Sequence, residues 1–238
     1  MKLFRDFFHP LSRFNRKRAH YKGQVPLPKE LSGVLDLEPI VVEADAKGLD
    51  YLVLDFETTG LDVESDLILS MGWVEVSNGV IDLSTAQHFY LSNESQIKPE
   101  TAVINHITPQ MLEGGISIHE AMKALFQVAQ NKVLVAHSCS VENSFIQRYL
   151  SYRFQLNAVP LMWFDTLCIE KKLARAINNH QDLDVSLGAT RKRYQLPEYI
   201  EHNALMDAVA TAELLLAQEA RLTSNKAVTI GLLYRLSH

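Results

Sequence analysis

The spacing of hydrophobic positions along the chain predicts strands first and then helices. Residues 51–55 (Tyr-Leu-Val-Leu-Asp) form a short apolar run that ends on an acid, which is typical of a buried strand. Residues 67–76 and 80–91 flank the sequence Ser77-Asn78-Gly79. Because Asn-Gly suits the positive φ angles of a type I′ turn, this pattern predicts a β-hairpin, with a plain loop as the alternative.

Farther along, helical and strand-like spacings alternate. Apolar runs at residues 133–136 and 161–164 predict two more buried strands. Helices are predicted at about residues 117–130, 141–152, 166–177, 185–194 and 205–222. A strand, a hairpin and then alternating helices and strands predict an α/β domain in which helices flank a mixed central sheet.

The two ends of the chain differ from this pattern. The first 23 residues mix aromatic and basic side chains, and Pro10 predicts that any helix there is short or broken. The next 25 residues contain three prolines and are interpreted as a linker or a wrapping segment. We therefore predict three parts. A basic extension with a linker covers residues 1–48, the main domain covers residues 49–224, and a tail that docks on or near this domain covers residues 225–238.

The composition is that of an ordinary globular protein, since 47% of the 238 residues are hydrophobic and 21% are charged. No stretch approaches the ~20 apolar residues that a membrane span needs, and the N-terminal segment lacks an apolar run typical of a secretory signal. Two cysteines, Cys139 and Cys168, exclude a disulfide scaffold and a four-thiolate zinc site. We expect a cytoplasmic protein with no transmembrane segment.

Charge is unevenly distributed along the chain. Residues 1–23 carry seven basic residues and one acid, a net charge of +6, so the remaining residues account for -11 of the overall -5. An acidic body does not attract a phosphate backbone by bulk charge alone. For the basic segment three interpretations stay open: a contact with nucleic acid or an acidic partner, an amphipathic segment on a membrane surface, or a helix packed on the domain.

Two acids stand at the end of the first predicted strand. Because side chains alternate along a strand, Asp55 and Glu57 point to one side while Phe56 points into the core. Neighbouring carboxylates repel each other unless a cation lies between them or one of them takes a proton. Oxygen ligands of this kind suit Mg²⁺ or Mn²⁺. The alternative is a pair of solvated acids at a strand end.

A histidine and an acid stand at the start of the last long helix. Asp207 falls in the first turns, where the helix dipole favours an anion. His202 precedes it by five residues and is a candidate general base, since the imidazole pKa lies near working pH. The alternatives are a helix-capping acid and a surface imidazole. Small residues would let the helix approach the sheet and bring its acid to the first strand: Ala204, Ala208 and Ala210.

A third acid, Glu142, follows the second buried strand and a turn that begins at His137. The carboxyl ends of parallel strands lie along one edge of a sheet, where ligands usually bind. We therefore expect Glu142 on the same edge as Asp55. The alternative is an acid that only interacts with the dipole of its own helix.

In this order, the three segments resemble the DEDDh family of 3′–5′ exonucleases. That ribonuclease-H-like group includes the proofreading subunit of bacterial DNA polymerase III, ribonuclease T and oligoribonuclease. Residues 55–60 (Asp-Phe-Glu-Thr-Thr-Gly), the hairpin and residues 204–215 (Ala-Leu-Met-Asp-Ala-Val-Ala-Thr-Ala-Glu-Leu-Leu) look most like the polymerase-type branch. The resemblance covers about residues 49–222 and implies a ribonuclease-H-like three-layer fold.

The resemblance also implies a function. It implies a metal-dependent 3′–5′ exonuclease that hydrolyses the 3′ end of single-stranded nucleic acid, with DNA favoured over RNA, and releases nucleoside 5′-monophosphates. It implies a polymerase or another replication or repair protein as a partner. Two Mg²⁺ or Mn²⁺ ions would be held by Asp55, Glu57, Glu142 and Asp207, with His202 as the general base. The implied substrate-binding residues are Thr58, Leu61, Asn105 and His137.

The sequence departs from the family pattern at the middle acid. The family usually has His-Asn-x-x-Phe-Asp, whereas this chain has His-Ser-Cys-Ser-Val-Glu at residues 137–142. Glu142 is one methylene longer than Asp, and Mg²⁺ is strict about geometry. In the stretch before Ile107-Thr108, where the family often has a histidine that touches the substrate, the chain has Asn105 and His106. The alternative function is therefore a catalytically impaired nuclease fold that serves as a nucleic-acid-binding or adaptor module.

Overall fold

The apolar runs pair into one mixed sheet. The structure, a computed structural model, describes residues 7–92, 107–178, 183–199, 202–223 and 227–238. Within these ranges the sheet has five strands in the order β3-β2-β1-β4-β5. The hairpin strands pair antiparallel, and β4 lies parallel to both β1 and β5. The strands are β1 (Tyr51–Thr58), β2 (Ile68–Ser77), β3 (Val80–Tyr90), β4 (Val133–Ala136) and β5 (Trp163–Asp165).

Helices follow and precede the strands as the spacing predicts. The described helices are α1 (Pro10–Gln24), α2 (Lys29–Leu35), α3 (Pro109–Glu113), α4 (Ile118–Val128), α5 (Ser140–Phe154), α6 (Thr166–Asn178), α7 (Leu187–Arg193), α8 (Ala204–Leu222) and α9 (Ile230–Ser237). A 3₁₀ turn at Ala46–Gly48 precedes β1. None of the helices within the described ranges is both long enough and apolar enough to cross a membrane.

Alternation along β1 builds a core on each face of the sheet. Leu52 and Leu54 pack with buried residues of α2, α4 and α5. Tyr51 and Val53 pack on the other face with buried residues of α1, α6, α8 and α9. The sheet is thus the middle layer between two layers of helices, which confirms the predicted three-layer α/β class.

The turn between β2 and β3 has the predicted geometry. Asn78 and Gly79 both have positive φ angles, 52° and 73°. Positive φ at both central residues is what a type I′ turn requires, and its twist matches that of the flanking strands. The hairpin prediction is confirmed, and the plain-loop alternative is wrong.

The N-terminal segment differs from its prediction. Instead of a short or broken helix, α1 is a continuous helix of 15 residues that begins at Pro10. Proline costs nothing in the first helical position, because the N–H that it lacks has no partner inside the helix. Leu11 of α1 is fully buried in the core, and α9 packs against α1, α6 and β5. Helix α1 thus packs on the domain, while the role of its exposed basic side and the domain boundaries at residues 48 and 224 stay predictions.

Candidate active site

Three carboxylates meet at the carboxyl end of β1. Asp55 and Glu57 point to the same side of the strand, and Asp207 comes from the first turn of α8. One oxygen of each lies within 4.8 Å of the others. Glu57 is only 8% exposed, and the other two are half-buried. The structure thus brings together acids that are 152 residues apart in the chain, as the sequence predicts.

A glycine lets α8 come close enough for this contact. Gly72 of β2 pairs with Asp55 in the antiparallel ladder between β1 and β2. A Cβ at Gly72 would lie 2.2 Å from the backbone nitrogen of Leu205 and 2.3 Å from the carbonyl carbon of Ala204. The start of α8 therefore rests directly on the backbone of β2. Gly72 was not among the predicted site residues, although a glycine inside an apolar strand is a signal for close backbone approach.

Glu142 lies beside this group, in the first turn of α5. Its side chain is buried, and its Oε2 atom has no hydrogen-bond partner within the described part of the chain. Buried carboxylate oxygens are nearly always paired, so an unpaired one points to a missing ligand. The negative charge of Glu142 contributes to the shifted pKa of Asp55, which shows that the two carboxyls interact.

Burial and mutual repulsion shift the pKa values of these acids upward. Burial, followed by repulsion from Glu142, Asp207 and Glu57, raises the pKa of Asp55 well above its ordinary value. Burial and repulsion from Asp207 raise the pKa of Glu57 to about 7, although the nearby His202 lowers it in part. Burial raises the pKa of Glu142 to about 8. A bound cation would reduce the repulsion between these carboxylates and favour their ionised forms. Their oxygen atoms are suitable ligands for divalent metal ions.

Asp165 fixes the turn that leads to Glu142. This buried carboxylate at the end of β5 accepts the backbone N–H groups of Ser138 and Cys139, each at 3.1 Å. It also accepts the N–H groups of Leu167 at 2.9 Å and Cys168 at 3.2 Å, at the start of α6. One side chain therefore joins the starts of two helices. This role was not predicted, because these amides meet only in the folded chain.

His202 lies at the open edge of the site. Its side chain is exposed, and its backbone has a positive φ of 66° just before α8. The backbone N–H of His202 donates to Oδ2 of Asp207 at 2.9 Å. The next residue, Asn203, caps the helix by accepting the N–H of Met206. The bend therefore holds His202 beside the carboxylate cluster and leaves its ring accessible.

An open cleft of about 370 Å³ extends from the carboxylates, and two predicted substrate-binding residues line it, Thr58 and Leu61. Leu61 is 77% exposed, so it offers an apolar side chain at the rim. The Thr58 hydroxyl donates to the carbonyl of Gly60 at 2.8 Å, which fixes the turn that follows β1. The predicted contact at Asn105 lies outside the described residues.

His137 also lines the cleft, but its ring is held by the protein. Nδ1 lies 2.8 Å from Oγ1 of Thr166, and Nε2 lies 2.8 Å from the carbonyl oxygen of Val185. Burial lowers the pKa of His137, which favours the neutral ring. Both ring nitrogens are thus engaged, so His137 braces β4 against α6 and the segment before α7.

An acidic cluster on a mixed sheet of this order, completed by a closely packed helix, defines a nuclease of the ribonuclease-H-like class. The family model RNase_T, described as an exonuclease, matches residues 52–215. The chain therefore belongs to this exonuclease family.

Curated relatives agree with this family. The chain is 28% identical over 192 residues to the PolC-type DNA polymerase III of Thermotoga petrophila, covering 77% of this chain and 13% of the relative. It is 27% identical over 187 residues to the 3′-5′ exonuclease DinG of Staphylococcus haemolyticus, covering 79% of this chain and 20% of the relative. The chain thus spans about a fifth or less of the length of these two relatives.

Solved structures share the fold. Exonuclease X in complex with 5′-overhanging duplex DNA matches with a TM-score of 0.59 and 21% identity, over 79% of this chain and 99% of the other. Escherichia coli exonuclease I, in its zinc-bound complex with single-stranded DNA, matches with a TM-score of 0.60 and 16% identity. That match covers 73% of this chain and 41% of the other.

Proposed function

We propose that this protein is a metal-dependent 3′–5′ exonuclease that acts on single-stranded nucleic acid, preferably DNA, and releases nucleoside 5′-monophosphates. The observation that carries the proposal is the meeting of Asp55, Glu57 and Asp207 within 4.8 Å, where the first two also line an open cleft. The buried and unpaired Oε2 of Glu142 supports it, since that carboxyl interacts with the same group of acids.

The four carboxylates would hold two Mg²⁺ or Mn²⁺ ions. Their oxygen donors suit these ions, and the raised pKa values of Asp55, Glu57 and Glu142 reflect repulsion that a cation would relieve. When bound, such ions stabilise the charge on the attacking and leaving oxygens of a phosphodiester. Glu142 comes from the first turn of α5, and its carboxyl interacts with that of Asp55.

The remaining steps fall to side chains at the rim. The His202 ring takes the proton from the attacking water, since it lies beside the cluster and is open to solvent. The exposed Leu61 side chain packs against the base of the terminal nucleotide, while the backbone at Thr58 positions its sugar. His137 keeps the floor of the cleft rigid through its two hydrogen bonds.

The relatives support the substrate and the setting. Exonuclease I and exonuclease X were both solved with DNA, and a PolC-type polymerase is among the curated relatives. We infer a DNA 3′ end as the preferred substrate and a replication or repair protein as a partner. We place the activity in the cytoplasm, where the free thiols of Cys139 and Cys168 stay reduced.

A degradation panel tests the proposal. Single-stranded DNA, duplex DNA and short RNA, each labelled at the 5′ end, are incubated with Mg²⁺, with Mn²⁺ or with EDTA. We expect shortening from the 3′ end of the single strand with either metal, release of 5′-monophosphates, and no reaction in EDTA. Asp55→Ala is the matched inactive variant. Equal activity in EDTA, or in Asp55→Ala, would overturn the assignment.

Glu142 favours one alternative function. If its extra methylene misplaces the carboxylate, the protein binds nucleic acid as an adaptor without degrading it. The same panel distinguishes the two, because an adaptor shifts the mobility of the single strand and leaves its length unchanged with either metal.

A further inference from the structure

Three helices on one side of the molecule form a positively charged surface. Helices α1 and α9 contain no Asp or Glu, and the only acid of α6 is Glu170. Glu170 is buried and forms an ion pair with Arg193 at 3.3 Å, so it does not face solvent. We define the cationic face as Arg13, Arg16, Lys17, Lys171, Lys172, Arg175 and Arg235.

The α1 cations of this face are displayed together. Arg13, Arg16 and Lys17 have i, i+3, i+4 spacing, which places them on one side of the helix. None of the ion pairs found in the described ranges involves them. Arg16 lies 4.3 Å from the ring centre of Phe7, and the neighbouring ring of Phe8 is 67% exposed.

Contacts between the helices make the face continuous. Nζ of Lys172 in α6 donates to the carbonyl of Arg235 in α9 at 2.7 Å. The rings of Phe14 in α1 and Tyr234 in α9 lie 5.8 Å apart. A cavity of about 320 Å³ opens between Phe8 and α9, with Arg235 and one acid, Glu43, in its lining.

One end of the cationic face reaches the candidate active site. Helix α6 begins at Thr166, directly after Asp165, whose carboxylate holds the turn that leads to Glu142. At a rise of about 1.5 Å per residue, Lys171 lies about 8 Å along α6 from that end and Arg175 about 14 Å. Helix α9 packs against both α6 and α1, which links the cations of the three helices.

We propose that the cationic face binds the phosphates of a single strand whose 3′ end lies in the candidate active site, and that Phe7 and Phe8 stack on its bases at the far end. This inference rests on the proposed function, because the 3′–5′ direction of hydrolysis places the 3′ end of the strand at the candidate active site. Lys and Arg neutralise phosphates, and exposed aromatic rings stack on bases of any sequence. The chain beyond residue 23 has a net negative charge and repels a strand, which makes this face the favourable path.

Binding of a labelled oligonucleotide tests the proposal. Fluorescein-labelled dT24 is titrated in EDTA, so that no cleavage occurs, and its anisotropy is followed at several KCl concentrations. Arg13→Glu/Lys17→Glu is compared with Lys29→Glu/Lys123→Glu, which makes the same change in net charge at exposed positions of α2 and α4. We expect at least a tenfold rise in Kd for the first pair and less than twofold for the second. The salt slope should fall by about 0.7 for each phosphate that the variant no longer neutralises.

The outcomes separate this inference from the proposed function. Equal Kd values for the two double variants, with unchanged melting temperatures, would overturn the cationic face as a strand site. So would an unchanged Kd for dT24 together with weakened binding to phosphatidylglycerol vesicles, since the face would then serve a membrane. A wild-type protein that binds dT24 through Arg13 and Lys17 but degrades no strand would refute the exonuclease and leave this inference standing.

Discussion

The substitution Gly72→Ala tests whether close packing of α8 on β2 assembles the active site. The added Cβ would lie 2.2 Å from the backbone nitrogen of Leu205, whereas ordinary contact begins at 3.4 Å. Both neighbours are backbone atoms that no rotamer change can move. Helix and strand must therefore separate by about 1 Å, and Asp207 moves with the helix away from Asp55.

This displacement has two measurable costs. Overpacking of this kind destabilises a fold by about 1–3 kcal/mol, and in a domain of this size that corresponds to a fall in melting temperature of about 2–12 °C. A misplacement of about 1 Å in an active site costs on the order of 10²-fold in rate. Mg²⁺ requires near-ideal ligand positions, so its affinity should fall as well.

The assays are differential scanning calorimetry, hydrolysis of single-stranded DNA and Mn²⁺ titration followed by electron paramagnetic resonance. Gly23→Ala is the control, since a Cβ there meets nothing within 4 Å and the position is helical. We expect the control to match the wild type. A Gly72→Ala variant with wild-type rate and Mn²⁺ affinity would refute the reasoning, even if its melting temperature fell.

Three further predictions concern single side chains, and a fourth concerns the pH dependence of stability. His202→Asn, which tolerates the left-handed backbone, should lower kcat at least ~10²-fold with an unchanged melting temperature; an unchanged kcat would exclude a general base there. Glu142→Asp should change kcat and Mn²⁺ affinity together, whereas a change in neither would show that the site does not use this acid. Asp165→Asn should weaken Mn²⁺ binding and cost about 1–3 kcal/mol of stability, because an amide accepts fewer of the four N–H groups; wild-type Mn²⁺ affinity would contradict its positioning role. In EDTA the free energy of unfolding should fall as pH rises from about 5 to 8, because the raised pKa values of Glu57 and Glu142 make the folded chain bind more protons than the unfolded one; calorimetry with excess Mg²⁺ should show a smaller slope.

Local patterns in the sequence were sufficient for most of the fold. Three features depend only on residues that are close together in the sequence, so periodicity and turn chemistry predict them. They are the apolar run before Asp55, the Asn-Gly turn and the small residues of α8. Strand alternation likewise placed Asp55 and Glu57 on one side. The prediction of a broken helix at Pro10 was wrong because the effect of proline depends on its position, and only the structure shows that α1 starts there.

The features that were missed depend on contacts between distant segments. Asp165 matters because β5 brings its carboxylate to amides 26 and 27 residues earlier in the chain. Gly72 matters because α8 lies on it, 132 residues later. A glycine inside an apolar strand signals close backbone approach but not which segment approaches, and the sequence around Asp165 does not identify the amides that its carboxylate accepts.

The two charged regions of the molecule should respond differently to ions. Without divalent ions the carboxylate cluster repels a phosphodiester, because Asp55, Glu57 and Asp207 lie within 4.8 Å of one another. Under the proposed function, bound divalent ions would reverse the local sign, so hydrolysis should depend on them. The proposed strand binding by the cationic face needs no such ions and should weaken as KCl competes for the phosphate contacts. We therefore expect KCl to change mainly the affinity for the strand, through Arg13 and Lys17. We expect Mg²⁺ to change mainly the rate of hydrolysis.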